Sequence, residues 1–351
     1  MLTERRGGMG DMVCDAQPSH IDGGQMETSH ARKRIAENLR RSSPRPKRRS
    51  RLAGASGGLS VLLAIALAAS AGTAVLAGNA GASPAAKKEP PLYKLLPAKI
   101  RASGKLVQYV TDIFPPMAFA THTGSGATGV DLLMSEAVAK VMGVKLVTHI
   151  VTTFSELFPA ITTGRAEMEF TATFDSPTRY KLDYFVDYFR TGTQLYIPKS
   201  EAKTYKKVSQ LCGHTIAGET GTLYQPNLTA AFKKICKGRS GLSFVNVPGI
   251  PEQNTEMKEG RAQAAVAGPE SVDYLQITNP GQYERIGPTF YPTFYGVTLP
   301  NSAFGKQLGH VVALALDQLI KNGTYLRILK KYDVQSQAVR SATINKGTPQ
   351  P

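Results

Sequence analysis

Hydrophobic and polar positions follow two alternating periods along residues 99–335. Apolar runs typical of strands, such as Lys105–Ile113 and Lys145–Val151, are separated by segments like Val130–Val141, in which apolar residues recur at helical spacing. The same reading predicts further strands at Glu167–Phe174, Thr215–Ala217, Leu242–Val247, Gln263–Ala267 and Tyr295–Leu299, and further helices at Ser155–Gly164, Tyr224–Lys237, Ile250–Gly260, Gln307–Ile320 and Tyr325–Lys331. Such alternation is typical of an α/β protein with a mostly parallel sheet. Because the pattern restarts after Gln194–Pro198, we predict two α/β units of similar size.

The N-terminal region has a different character. Residues 1–53 show no apolar periodicity and end in a basic cluster, and residues 54–83 combine an apolar run with small residues near Ala82, which is typical of an export signal. Two interpretations remain open. The segment is either a signal peptide cleaved near Ala82 or an uncleaved membrane anchor, since Gly54–Ala77 is long enough to span a bilayer. In both cases the residues from about 85 onward lie outside the cytoplasm, on the extracytoplasmic face of the membrane.

Two further segments are predicted to lie outside the folded units. Residues 84–98 are rich in Ala, Lys and Pro and are interpreted as a linker, and residues 336–351 as a disordered tail.

Length and composition narrow the classes of protein. The 351 residues suffice for about two domains, and 42% apolar residues exclude wholesale disorder. Only one long uncharged segment occurs, which excludes a polytopic membrane protein. The net charge of +16 comes without a basic cluster that contains interleaved aromatic residues, so we interpret it as a surface property rather than a nucleic-acid site.

Candidate metal, cofactor and catalytic patterns are weak. No His is spaced from another His or from Cys as a metal site requires, and neither a serine elbow nor a phosphate loop occurs. Gly124–Gly129 matches the dinucleotide fingerprint, but no strand ends directly before it, so we interpret it as a turn. We therefore expect no metal and no cofactor. Outside the N-terminal region only Cys212 and Cys236 remain, and in an oxidising compartment they most simply form a disulfide, with two buried thiols as the alternative.

Short motifs in a fixed order along residues 99–333 carry more specific information. They are Val110–Pro116, Gly129–Asp131, Phe154–Ile161, Gly164–Glu167, Ser176–Arg179 followed by Asp183–Phe185, Leu211–Ala217 with Thr220–Thr222, Tyr295–Val297 and Asn322–Lys331. In order and spacing they resemble the amino-acid-type family (family 3) of extracytoplasmic solute-binding proteins, the receptors of bacterial ABC importers. The cysteine pair, in this context, resembles the actinobacterial branch.

This resemblance implies a two-lobed, periplasmic-binding-protein-like (type II) clamp, in which each lobe is a mostly parallel sheet flanked by helices. Residues 99–192 and 296–335 would form lobe 1, residues 193–295 would form lobe 2, and two strands would join them as a hinge.

The resemblance also implies a set of ligand-binding residues. Arg179 matches the position that grips the α-carboxylate of the ligand, and Phe114 and Phe154 match rings that sandwich its aliphatic part. The other positions that would line the cleft are Asp112, Ala172 and Phe174 in lobe 1, and Glu219, Gly221 and Thr222 in lobe 2.

Two departures from the family pattern concern the ligand. Gly268 stands where members that bind α-amino acids usually place an Asp for the ammonium group, and Phe174 stands where a hydroxyl residue is common. An ammonium ion buried without a counter-charge is costly. Either Glu270, Asp273 or Glu219 replaces the missing Asp, or the ligand has no amine, so an amine-free carboxylate and an unusual cationic amino acid both remain open.

The leading hypothesis is a monomeric binding protein that delivers a small carboxylate-bearing solute to an ABC permease and has no enzymatic activity. A dehydratase on the same fold, with Glu219 or Glu270 as acid or base, is the second. A membrane-tethered ligand sensor is the third.

Overall fold

The computed structural model describes residues 91–121 and 126–351. The predictions for residues 1–53 and 54–83, the first part of the predicted linker, and Gly124 of the glycine-rich motif lie outside the described residues.

Two long antiparallel strands form the centre of a nine-stranded sheet: β7 (Asp183–Pro198) and β11 (Tyr283–Pro300). The other strands are β1 (Lys105–Val110), β2 (Ile113–Phe114), β3 (Ala118–Ala120), β4 (Ala127–Thr128), β5 (Lys145–Ile150), β6 (Met168–Glu169), β8 (Thr215–Glu219), β9 (Ser243–Val247), β10 (Ala264–Ala267) and β12 (Ala338–Ile344). The order is β5-β1-β6-β11-β7-β10-β8-β9, and β12 pairs with β7.

Parallel pairing lies on both sides of this central pair. On one side β1 pairs in parallel with β5 and β6, and on the other β8 pairs in parallel with β9 and β10. The register of β7 and β11 shifts on both sides of Phe290, where Gly192 lets the two backbones approach closely. The α/β fold is therefore as predicted, and the two long strands are the connection between its halves. The sequence analysis predicted only the Tyr295–Leu299 end of β11 as a strand and did not predict most of β7.

Eight helices occur in the described part of the chain. They are α1 (Ala98–Ser103), α2 (Val130–Met142), α3 (Leu157–Thr162), α4 (Tyr224–Cys236), α5 (Ile250–Lys258), α6 (Pro269–Thr278), α7 (Ala303–Lys321) and α8 (Thr324–Lys331). Helices α2 and α7 bury Met134, Val138 and Val312 against the first half of the sheet, and α4 buries Leu228 and Phe232 against the second. Burial of such side chains contributes about 1.5–3 kcal/mol each. Helix α6, which the sequence analysis did not predict, starts with a proline at its first position, where a missing N–H costs nothing.

The interpretation of residues 336–351 as a disordered tail is wrong. Ala338–Ile344 forms β12 along β7, and Ala342 and Ile344 pack on the hydrophobic core. Beyond it, the Gly347 N–H donates to Asp175 Oδ2. Gln350 Oε1 accepts a 2.7 Å hydrogen bond from Asn227 Nδ2 on α4. The small and polar composition concealed a strand that completes the edge of β7.

The linker interpretation of residues 84–98 is also wrong in its second half. A short 3₁₀ turn covers Tyr93–Leu95, the side chain of Leu96 is fully buried, and the Gln307 side chain donates to the Leu95 carbonyl. The leucines in this segment anchor it to the domain. The sequence analysis gave weight to the lysines and prolines and overlooked these leucines.

Candidate functional site

A cavity lies between the two halves of the molecule, at the carboxyl ends of the parallel strands. In open α/β sheets this edge is where ligands bind. The cavity measures about 340 Å³, counting the part that is open to solvent. Seven predicted site residues line it: Phe114, Phe154, Ala172, Phe174, Arg179, Glu219 and Thr222. Four lining residues were not predicted as site residues: Thr111, Thr171, Leu223 and Tyr224.

Arg179 supplies the positive charge of the cavity. It ends the 3₁₀ turn Pro177–Arg179, and its Nη1 donates a 3.1 Å hydrogen bond to the Phe174 carbonyl. The guanidinium carbon lies 4.7 Å from the centroid of the Phe158 ring and 5.9 Å from that of Phe154. Such cation–π contacts hold the group in place.

The guanidinium has no direct counter-ion. Burial lowers the pKa of Arg179 to about 10, while the nearby carboxyl groups of Asp183, Glu169 and Asp175 act in the opposite direction, so the group stays charged at neutral pH. In residues 91–121 and 126–351, no carboxylate oxygen lies within 4.0 Å of it. It can therefore bind an anion that enters the cavity.

The loop after β6 is fixed by a buried carboxylate. Ala172 has a φ of 42°, an uncommon left-handed conformation for a residue with a side chain. Its N–H donates a 2.9 Å hydrogen bond to Asp131 Oδ2, and the Tyr188 hydroxyl donates to Asp131 Oδ1 at 2.6 Å. Burial raises the pKa of Asp131 well above its usual range. Asp131, in the first turn of α2, thus positions the backbone beside Phe174, a role that the sequence analysis did not assign to it.

Aromatic rings form much of the cavity wall. The Phe174 ring packs edge-on against Tyr224 at 5.2 Å and stacks on Tyr295 at 5.5 Å between centroids. The Phe114 ring lies 6.5 Å from both tyrosine rings. Tyr224 was predicted only as the first residue of a helix, because nothing in the local pattern shows that it turns toward a cavity rather than the core.

Glu219 supplies the acidic group of the cavity. Glu219 is the last residue of β8 and is 5% exposed. Its Oε1 has no hydrogen-bond partner among the described residues. Burial, and then the negative charge of Glu252, raise the pKa of Glu219 to about 8. Thr222 Oγ1 donates to the Glu219 carbonyl at 2.9 Å and shapes the turn into α4.

The remaining predicted site residues do not line the cavity. Gly221, with a φ of 81°, forms the turn after β8 and approaches Ser155 on the other side of the cleft. Asp112, two residues before Phe114, is half-buried, and its backbone carbonyl accepts a hydrogen bond from the Ala120 N–H. These two positions belong to the rim and the wall behind it.

Gly268 and Glu270 lie on the far side of the tyrosines. Glu270 Oε1 accepts a 2.8 Å hydrogen bond from the Tyr295 hydroxyl, and Oε2 accepts one of 3.0 Å from Thr191. Burial raises the pKa of Glu270 to about 7. A Cβ atom at Gly268 would overlap the Glu270 carboxylate, so this carboxylate occupies the space beside the glycine.

The cleft is closed in this structure. A Cβ atom at Gly249 would lie 2.9 Å from the Ile113 carbonyl oxygen, and one at Gly221 would lie 3.4 Å from Ser155 Cβ. The two halves therefore touch at these two points.

Comparison with known proteins decides the family. The model of the bacterial extracellular solute-binding proteins, family 3, matches residues 106–335. The chain belongs to this family. Membership confirms the resemblance that the ordered motifs indicated. A comparison with curated proteins finds no match.

Solved structures show the same fold. A mutant of ArgBP from T. maritima is 23% identical, with a TM-score of 0.58 over 67% of this chain and 97% of that one. AbpA of Streptococcus pneumoniae, an amino acid ABC transporter substrate-binding protein bound to L-arginine, is 20% identical, with a TM-score of 0.58 over 68% and 98%. An ancestral amino acid-binding protein, a precursor of cyclohexadienyl dehydratase, is 22% identical, with a TM-score of 0.57 over 67% and 97%.

Two further features bear on the environment of this family member. Cys212 and Cys236 form the expected disulfide, with 5.7 Å between their Cα atoms. Within the ranges 91–121 and 126–351, no helix is both long and apolar enough to cross a membrane.

Proposed function

We propose that this solute-binding protein captures a small carboxylate-bearing solute of the amino acid type and delivers it to the permease of an ABC importer. The observation that carries the proposal is the Arg179 guanidinium, which lines the cavity between the halves and has no carboxylate in contact among the residues that the structure describes. Arg offers a planar pair of N–H donors that fits a carboxylate, and this charge-assisted pairing suits a site that excludes water.

The known structures support the solute class. AbpA is bound to L-arginine, and an ancestral arginine-binding protein of 24% identity has been solved with arginine and with glutamine. Another neighbour is described as the substrate-binding protein of an amino acid ABC transporter. A permease partner and an extracytoplasmic site of action, with the N-terminal segment either cleaved or kept as an anchor, follow from this proposal.

Thermal unfolding in the presence of single amino acids and related carboxylates tests the proposal. A solute at 100 times its Kd stabilises a protein by about 2.7 kcal/mol. We expect a clear rise of Tm with at least one amino acid, and loss of that rise in Arg179→Ala. An equal rise in the variant would contradict the assignment of Arg179.

A dehydratase is the second candidate, and one observation favours it. Glu219, with a pKa of about 8, carries a proton at neutral pH and lines the cavity, as a general acid must. Incubation with cyclic hydroxy-carboxylates, followed by chromatography, separates the candidates. We propose binding without turnover and therefore expect no product.

A further inference from the structure

We propose that the solute carries a positively charged nitrogen as well as its carboxylate, and that Glu219 is the counter-ion of this nitrogen. The substrate class is thus zwitterionic or cationic carboxylates rather than amine-free acids. This inference rests on the proposed function and adds the second anchoring point of the ligand.

The first argument is the arrangement of charge. Arg179 and Glu219 are the ionisable side chains that line the cavity, and one is basic while the other is acidic. No ion pair within 4.0 Å joins them in the described part of the chain. Glu219 Oε1 is buried and has no hydrogen-bond partner among the described residues, and an unsatisfied polar atom of this kind is costly. The carboxylate of a ligand would satisfy Arg179. A cation on the same ligand would lower the pKa of Glu219, so that Glu219 releases its proton and meets the cation as a carboxylate.

The second argument is that the other candidate acids are occupied. Both oxygens of Glu270 accept hydrogen bonds, from Tyr295 and Thr191. Asp273 Oδ1 is paired with the Arg285 guanidinium at 2.5 Å. Of the three acids that could replace the missing Asp at Gly268, Glu219 is the one that lines the cavity.

The third argument is the surroundings of Glu219. Glu252, on α5, is the nearby charged group that acts on Glu219 from its own half of the molecule, and its negative charge favours a cation at this point. Across the cavity lies Arg179. Phe114 and Tyr224 also line the cavity, and the faces of aromatic rings attract cations. The Tyr224 hydroxyl is engaged with Tyr295 at 3.1 Å, which leaves its ring as the surface offered to the ligand.

Calorimetric titration with matched ligand pairs tests the inference. L-arginine and L-citrulline differ in a side-chain cation, and L-norvaline and 2-hydroxypentanoate differ in the α-ammonium group. We expect the wild-type protein to bind the cationic member of at least one pair at least tenfold more tightly. In Glu219→Gln this preference should fall below about twofold, whereas Glu219→Asp should retain part of it. Glu136→Gln, an exposed substitution on α2, is the control and should keep the full preference.

The outcomes separate the two proposals. A preference that survives in a folded Glu219→Gln variant, or a wild-type preference for the neutral members, overturns the role of Glu219 alone. If none of the four carboxylates binds, or if Arg179→Ala binds them as well as the wild type does, the proposed function fails first. Thermal unfolding of each variant shows that the protein is folded.

Discussion

The Glu270 carboxylate fills the space that a side chain at Gly268 would need. A Cβ atom built at Gly268 overlaps Glu270 Oε1 and lies 2.5 Å from the Tyr295 hydroxyl. The acid found at the position of Gly268 in family members that bind α-amino acids is therefore excluded here by an acid two residues further along. In this chain that second acid accepts hydrogen bonds from Tyr295 and Thr191, and the acidic group of the cavity is Glu219 at the end of β8.

This relationship predicts a strong coupling between the two positions. Gly268→Ala should destabilise the protein by about 1–3 kcal/mol, because it overpacks a buried site. Glu270→Ala should also destabilise it, since the buried hydroxyls of Tyr295 and Thr191 lose their acceptor. The double variant should lose clearly less than the sum, because removing the Glu270 carboxylate relieves the overlap that a methyl group at position 268 creates. Urea unfolding of the four proteins measures the coupling. Strictly additive losses would show that the two groups do not compete for one space.

Glu219 predicts a dependence of stability on pH. Its pKa is about 8 in the folded protein against an ordinary value of 4.5, so the folded state holds a proton that the unfolded state releases. The resulting stabilisation is fully present below about pH 4.5 and is lost as the pH rises through 8, at up to about 1.4 kcal/mol per pH unit. In the ligand-free protein, Glu219→Gln should therefore be more stable than the wild type near pH 8. The gain should disappear near pH 4.5. Equal Tm differences at both pH values would contradict the burial of an ionisable Glu219.

We expect the C-terminal segment, residues 336–351, to support the binding loop without lining the cavity. The Gly347 N–H donates to Asp175, the neighbour of Phe174, and a Cβ atom at Gly347 would overlap the Asp175 backbone. Gly347→Ala should lower Tm and weaken solute binding. Gly241→Ala is a matched control, because a Cβ atom there meets nothing within 4 Å. If both variants behave alike, the segment does not support the binding loop.

The disulfide predicts a measurable stabilisation of the second half of the molecule. Cys212 and Cys236 are 24 residues apart, and closing a loop of that size contributes about 3 kcal/mol by restricting the unfolded chain. The variant that carries Ser at both positions should lose this amount in urea unfolding, and reductant should bring the wild type to the same midpoint. An unchanged midpoint in the double variant would show that the bridge adds no stability.

Most of the fold and part of the candidate site could be predicted from the sequence. The resemblance of the ordered motifs to the family implied that Arg179 and Phe154 share one cleft, and both line the cavity. The sequence could not show which of Glu219 and Glu270 faces the cavity. Glu270 is occupied by the hydroxyls of Thr191 and Tyr295, which lie 79 and 25 residues from it along the chain. Composition also misjudged residues 336–351, because a strand that pairs with an existing edge needs few apolar side chains of its own.

The central claim is that Arg179 holds the carboxylate of a captured solute. Calorimetric titration of the wild type and Arg179→Ala with the L-amino acids and their decarboxylated amines tests it most directly. A charge-assisted hydrogen bond contributes about 1.5–3 kcal/mol, so the variant should bind the best amino acid roughly tenfold to a hundredfold more weakly, and the matching amine should bind neither protein. Equal affinity of both proteins for that amino acid, or tight binding of its amine to the wild type, would contradict the claim.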